Sequence, residues 1–280
     1  MALRFPVVNV SQVTAPVVGA GNQFFAGARL FARGVGLCFR NPRLMLLGMI
    51  PALITGVLYL AAFVALAWNV VDLAAWLTPF ADDWSAAARS LTRVVAGAAV
   101  FGVGLLVGVL TFTTVTLVIG DPFYESISGR IERGCGGTPD EVETSFWTSL
   151  GRAIVDALRL IGLSVLFGVL LFIAGFIPIL GQTVVPVLGA IVGGGLLALE
   201  LTGSPFSRRG KLWAERRQVL RRNRTLALGF GVSVFVVFLI PLGAILFMPA
   251  AVVGAALLTR RCLGQPIPDQ IVVAPKPSSA

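Results

Sequence analysis

Side chains able to do chemistry are few in this 280-residue sequence, and they gather at the edges of long apolar stretches. There is no histidine, so the usual imidazole base and metal ligand are missing, and the three cysteines, Cys38, Cys135 and Cys262, are spaced too widely for a CxxC pair. No nucleophile elbow, phosphate-binding glycine loop, dinucleotide fingerprint or zinc-ligand spacing occurs. The sequence therefore predicts no enzyme, no catalytic residue, no metal site and no cofactor. What remains is cationic and hydroxylic. Arg33, Arg40 and Arg43 precede the first long apolar run, and "TFTTVT" places Thr111, Thr113, Thr114 and Thr116 near the end of the second. The arginines suit the collection of an anion at a mouth, and orientation of the chain in a membrane explains them equally well. The threonines suit the polar lining of a route, against which stands the habit of membrane threonines to bond back to their own helix.

The elements that must position these groups follow from composition. Hydrophobic residues make up 56% of the chain and charged residues 12%, against roughly 25% charged in a soluble domain. Such a chain belongs in a bilayer. Residues 44 to 71 form a first apolar run, about 42 Å long as a helix and ample for a hydrocarbon core of about 30 Å. A polar connection with Asp72, Asp82, Asp83, Trp76 and Trp84 leads to a second run over 94 to 119. The basic flank ahead of the first run holds that end inside, which puts the aspartate loop outside and both chain termini in the cytoplasm. The formal charge of +9 does not point to nucleic acid, because the basic residues fall in short segments beside the apolar runs.

Beyond the second run, Asp121 and Pro122 have the types of an N-cap and first helical residue, Ser145 of a further cap, and "GCGGTPDE" of a loop. Four shorter apolar pieces follow, Leu160–Ile177, Thr183–Leu199, Thr225–Ile240 and Leu242–Thr259, each about 24 to 27 Å as a helix. They form two pairs, joined through "GFIPILGQTVVP" and "FLIPLGAILFMP". Each pair leaves and returns to one side, since the basic stretch 207–224 and Arg260–Arg261 lie at their outer limits. Two arrangements fit: short full spans with a tight turn, or re-entrant hairpins that turn round within the bilayer. The Pro178, Gly181, Pro186 and Pro241, Gly243, Pro249 clusters favour the second. Carbonyls freed there cost several kcal/mol each unless protein or water meets them, so a buried tip needs neighbours. Gly104, Gly108, Gly189 and Gly193 offer close helix approach.

Residues 24 to 40 project as an amphipathic helix lying on the membrane surface, with Arg29, Arg33 and Arg40 on one face and Phe24, Phe31, Val35, Cys38 and Phe39 sinking toward the acyl chains. Flanking it, 1–23 and 263–280 read as tails around a single membrane domain over 24–262. The basic cluster 207–224 reads as a solvated, lipid-facing loop. No ionisable residue lies inside the apolar runs, which disfavours proton-driven transport through a buried carboxylate and leaves a passive route open.

Three blocks, "GDPFYESISGRIE", "ELTGSPFSRRG" and "IPLGAILFMPAAVVGAALL", occur in that order and resemble the CysZ-type sulfate permeases and their etoposide-induced-protein relatives. They contain Asp121, Pro122, Phe123 and Glu125, then Pro205 and Arg208, then Pro241 and Pro249. The likeness covers roughly residues 24 to 262. It implies two long transmembrane helices and two hemi-penetrating hairpins, which agrees with the length argument; with the surface helix read from residues 24 to 40, the expected fold is an all-α integral membrane protein with an N-terminal interfacial helix. It also implies homo-oligomers in the lipid bilayer of the bacterial inner membrane and passive uptake of sulfate or a related oxyanion for cysteine synthesis. The eukaryotic branch suggests a non-transporting scaffold as the alternative. In the permeases the proline that opens the first span is followed by roughly Gly-Leu-Arg-Arg, with the arginines associated with sulfate. Here Pro42 is followed by Arg43, Leu44, Met45 and Leu46, so the anion role falls to Arg43 beside Leu44, with Arg40 contributing from the preceding turn.

Overall fold

A computed structural model describes residues 19–138, 146–240 and 242–271; the side chains at 113, 117, 146–150 and 153 are outside that description, as are Ser145 and Pro241. The described residues are helices and turns, with no strand among them. Five of the helices are long and apolar enough to cross a membrane.

Two of these form a tall antiparallel pair. Helix α2 (Pro42–Leu77) opens with proline at its first position, where the missing amide would have had no partner, and α3 (Ala86–Gly134) opens on Ser85, whose hydroxyl accepts from the Ala88 amide at 3.4 Å. The Phe63 ring of α2 fills the gap left by Gly108, and Leu66 fills that at Gly104; a Cβ on either glycine would lie 2.4 or 2.6 Å from those side chains. Helix α3 does not restart at Asp121–Pro122. It runs on for 49 residues, about 74 Å. Pro122 gives up only its own amide bond, while Tyr124, Ile127 and Ile131 on the following turns are buried against the rest of the protein and hold the helix together.

The remaining apolar helices form two hairpins, α4 (Phe146–Gly175) with α5 (Leu180–Leu201) and α8 (Arg224–Phe238) with α9 (Gly243–Cys262). Both turns fall at the Ile-Pro sites. Each puts a non-glycine residue in the left-handed region, Ile179 at φ 72° and Leu242 at φ 64°. Each also needs its glycine, because a Cβ on Gly181 would lie 2.2 Å from the Gly175 carbonyl oxygen and one on Gly243 2.2 Å from that of Val237. Helix length corrects the sequence estimate. The apolar stretch Ile154–Gly175 and α5 have 22 residues each, about 33 Å, because helix begins upstream of Leu160 and of Thr183 and α5 runs on to Leu201. Only α8, with 15 residues and about 22 Å, is short.

Helix α9 is the core. Every residue from Pro249 to Arg260 is buried, as α1, α2, α3, α5 and α8 surround it. Those helices approach to backbone contact at glycines: a Cβ on Gly231 of α8 would lie 1.9 Å from the Gly194 carbonyl oxygen of α5. Helix α1 (Ala20–Arg40) uses the same device, with Gly27 over Leu226 and Gly34 over Ala250. Its apolar stripe of Leu30, Phe31 and Cys38 is therefore covered by protein and does not face acyl chains; Phe31 meets Phe230 edge-on with ring centroids 6.4 Å apart. Phe25 and Phe39 remain exposed.

One contact relates the depths of the two assemblies. Gly48, near the start of α2, abuts the Pro249 ring, where a Cβ would lie 1.9 Å from Cγ. From that level α2 continues to Leu77, about 44 Å, whereas α9 ends at Gly243 after about 9 Å in the same direction. The directions agree because the C-terminal end of α9 meets the C-terminal end of α3, remote from the α2–α3 turn.

Candidate functional site

The polar centre of the molecule lies where the ends of α3 and α9 meet the short helix α6 (Gly203–Ser207) and the chain that follows it. Glu132, on the last turns of α3, is almost wholly buried and faces two buried arginines. Arg209 donates to both carboxylate oxygens at 2.8 and 2.9 Å, a bidentate pair, and Arg260 donates to Oε2 at 2.8 Å. The spare donors are used as well. Arg209 also donates to the Pro205 carbonyl and Gln265 Oε1, and Arg260 to the carbonyls of Cys135, Gly137 and Pro266. One carboxylate against two guanidiniums leaves a formal surplus of one positive charge, which these oxygens disperse. Saturated in this way, the cluster clamps helix ends and offers no free donor row to a ligand.

The same arrangement accounts for two of the three sequence blocks. Arg208 pairs with Glu125 at 3.6 Å, donates to its carbonyl at 3.1 Å and lies flat on Gly129, where a Cβ would come within 3.0 Å of Nη1. Pro205 and Phe206 are buried; Asp121 and Pro122 are exposed, and Phe123 is half-buried. Pro249 belongs to the α2 contact described above. The C-terminal residues after Cys262 return over this end of the protein: Arg33 donates to the carbonyls of Pro268 and Asp269, and Ile271 is buried.

A second ionic cluster ties α4 to α7 (Trp213–Arg222). Arg216 is buried 3.4 Å from Asp156 and 5.0 Å from the Trp213 ring centroid, and Arg159 approaches the same ring at 5.8 Å. Burial pulls the Arg216 guanidinium below its ordinary value, and Asp156 and Glu200 oppose that. The 207–224 stretch is thus partly inward-facing. Arg209 and Arg216 are buried in ion pairs, while Arg217, Arg221 and Arg222 are exposed.

Of the expected anion ligands, Arg40 and Arg43 are exposed at the junction of α1 and α2, and neither makes an ion pair among the described residues. Leu44, next in the chain to Arg43, is fully buried. Arg33 is committed to the C-terminal strap. The threonines lie elsewhere, higher on α3. Thr111 donates to the Val107 carbonyl at 2.7 Å and sits 2.7 Å from the Tyr59 hydroxyl; Thr116 donates to Phe112 at 2.8 Å. Thr114 is exposed. The structure therefore brings Glu125 to Arg208 and leaves the arginine mouth and the threonines apart. Sequence reasoning missed Glu132, Arg209 and Arg260, because partners separated by 77 and 128 positions leave no local spacing signal.

Burial raises the Cys38 thiol to about 11 and also raises Cys135, the latter opposed by Arg260, so neither offers a thiolate at neutral pH. Among the described residues no three metal-binding side chains converge.

Apolar helices on this scale, joined at one end by buried ion pairs, define a multi-pass α-helical membrane protein. Comparison with known proteins narrows the class. The chain belongs to the sulfate transporter CysZ/etoposide-induced protein 2.4 family, whose profile matches residues 30–249. It is 30% identical over 241 residues to a protein of Pseudomonas fluorescens (strain Pf0-1) named Sulfate transporter CysZ, covering 83% of this chain and 92% of the relative. A protein of the same name from Pectobacterium atrosepticum is 27% identical over 237 residues, covering 84% and 82%.

Proposed function

We propose that the protein conducts sulfate, or a closely related oxyanion, passively across the bacterial inner membrane in support of sulfur assimilation. The observation that carries this reading is the pair Arg40 and Arg43, two exposed cations at the start of α2 that make no ion pair among the described residues, in a chain whose relatives, matched over most of their length, are named sulfate transporters. A carboxylate able to relay protons at mid-span is missing from the apolar helices among the described residues, whose charged groups sit near their ends. One arginine beside Leu44, with a second on the preceding turn, binds a dianion more weakly than two adjacent guanidiniums, which suits conduction better than storage.

The two hairpins are re-entrant in this reading. The Gly48–Pro249 level supports it for the second hairpin, whose tip stands about 9 Å beyond that level while α2 stands about 44 Å beyond, against a hydrocarbon core of about 30 Å; for the first hairpin, whose helices are about 33 Å long, the support is the Ile-Pro turn alone. Helix α1 lies at the cytoplasmic interface with exposed Arg29 and Arg40 toward headgroups, and both termini are cytoplasmic, in line with the basic residues at that end. Gly162 and Gly168 of α4 stand in open space and suit close packing by a second copy in a homo-oligomer.

Growth tests the function and labelling tests the topology. Deletion should slow growth on limiting sulfate and leave growth on cysteine unchanged; equal growth on both would remove the assimilation role. Cysteines placed at Gln182 and Leu242, both exposed near the tips, should resist an impermeant reagent applied from outside. Ready labelling would mean full spans.

A further inference from the structure

A groove of about 660 Å³ runs between α2 and α3 near their connecting turn, at the opposite end of the molecule from the Glu132 cluster. Its lining divides sharply along its length. Arg89 and Arg93, with Ser90, form the end nearest the turn, and Val70, Val94 and Phe101 belong to an otherwise apolar trough. No carboxylate is among its lining residues, although that of Asp82 pairs with Arg93 beside it and leaves Arg89 as the unneutralised charge of this end. Both guanidiniums are anchored through Nη2 alone, Arg89 to the carbonyls of Asp82 and Trp84 and Arg93 to the Asp82 carboxylate at 2.6 Å. Nη1 of each has no hydrogen bond among the described residues, and the anchors hold the two side chains in place beside the groove.

We propose that this groove is a binding site for an anionic phospholipid, its phosphodiester on Arg89 and Arg93 and one acyl chain in the trough. Three features select this occupant. The cationic end meets the headgroup level, since exposed Trp76 and Trp84 flank the turn as interfacial aromatics do. From Arg89 to Phe101 the groove follows α3 for about 18 Å, close to a single leaflet's half of a hydrocarbon core of about 30 Å. The groove also opens on helices that touch few other parts of the protein, so lipid is the surrounding solvent. A free oxyanion would use the arginines and leave the trough unfilled. A lipid uses both. Bound there, it wedges α2 against α3 beside the turn.

The test is native mass spectrometry of the full chain released from detergent containing phosphatidylglycerol, phosphatidylcholine or diacylglycerol. One phosphatidylglycerol per chain should be retained, with at least tenfold less of the other two. Arg89→Ala/Arg93→Ala should lower retention at least tenfold. Because that variant also loosens the turn, Ala98→Trp provides a second arm: it leaves both arginines in place, fills the trough and should displace the lipid equally. Millimolar inorganic phosphate should not compete. Equal retention of diacylglycerol, unchanged retention in either variant, or displacement by inorganic phosphate would overturn the proposal, the last by assigning the arginines to a free anion.

Discussion

Glu132→Gln is the sharpest perturbation of the fold. The amide keeps the volume of the carboxylate and can still accept a hydrogen bond, so the change isolates charge. Glu132, Arg209 and Arg260 have side-chain exposures of 2%, 4% and 2%, which places the cluster among buried ion pairs. Removing one partner from such a pair costs about 3–5 kcal/mol, because the other charge stays buried without compensation. Here two guanidiniums lose one carboxylate, and the local surplus rises from one positive charge to two. At roughly 2–4 °C per kcal/mol for a domain of this size, the melting temperature should fall by roughly 6–20 °C. The assay is thermal unfolding followed by intrinsic tryptophan fluorescence in detergent. Asp82→Asn is the control. It breaks the Arg93–Asp82 pair, whose side chains are 35% and 57% exposed, and such exposed pairs contribute at most about 1 kcal/mol. Arg209→Met added to Glu132→Gln removes one uncompensated charge and should recover part of the loss. A Glu132→Gln shift no larger than that of Asp82→Asn would refute the claim that a buried charge cluster joins these helix ends.

Other outcomes follow from the packing. Gly231→Ala sets a methyl against the Gly194 carbonyl and should destabilise by about 1–3 kcal/mol despite alanine's better helix propensity, read as a lower melting temperature; no loss would mean α5 and α8 do not touch there. Ile179→Gly relieves a β-branched residue at φ 72° and should stabilise by about 1 kcal/mol, whereas destabilisation would mean that the exposed side chain anchors the turn. The raised Cys38 pKa favours the protonated thiol in the fold. Its contribution is therefore complete below the ordinary thiol value of about 8.5 and is lost as pH rises toward about 11. Cys38 should also stay unalkylated at pH 8 until the protein is denatured; rapid labelling of folded protein would contradict its burial.

Hydropathy located all the long helices, and the Ile-Pro sites located both turns, because apolar length and a missing amide act locally. The ends of helices were less legible. Polar turns at either end of α3 carry no hydropathy signal, and Pro122 marked a start that tertiary packing overrides. Helix α1 shows the limit of periodicity: its arc of Phe31 and Cys38 says that one face is buried, and lipid or protein would produce the same arc. The Glu132 cluster depends on residues brought together only by the fold. In sequence, Arg208, Arg209 and Arg260 are indistinguishable from cations that orient loops. The exposure of Arg40 and Arg43 was legible because both residues adjoin the start of a long apolar run.

Flux of labelled sulfate into liposomes bearing the purified protein tests the central claim most directly. Uptake should run down the sulfate gradient, persist with a protonophore present, and fall at least severalfold in Arg40→Ala/Arg43→Ala reconstituted to the same density. Flux no greater than in protein-free liposomes, or flux that vanishes with the proton gradient, would contradict passive oxyanion conduction.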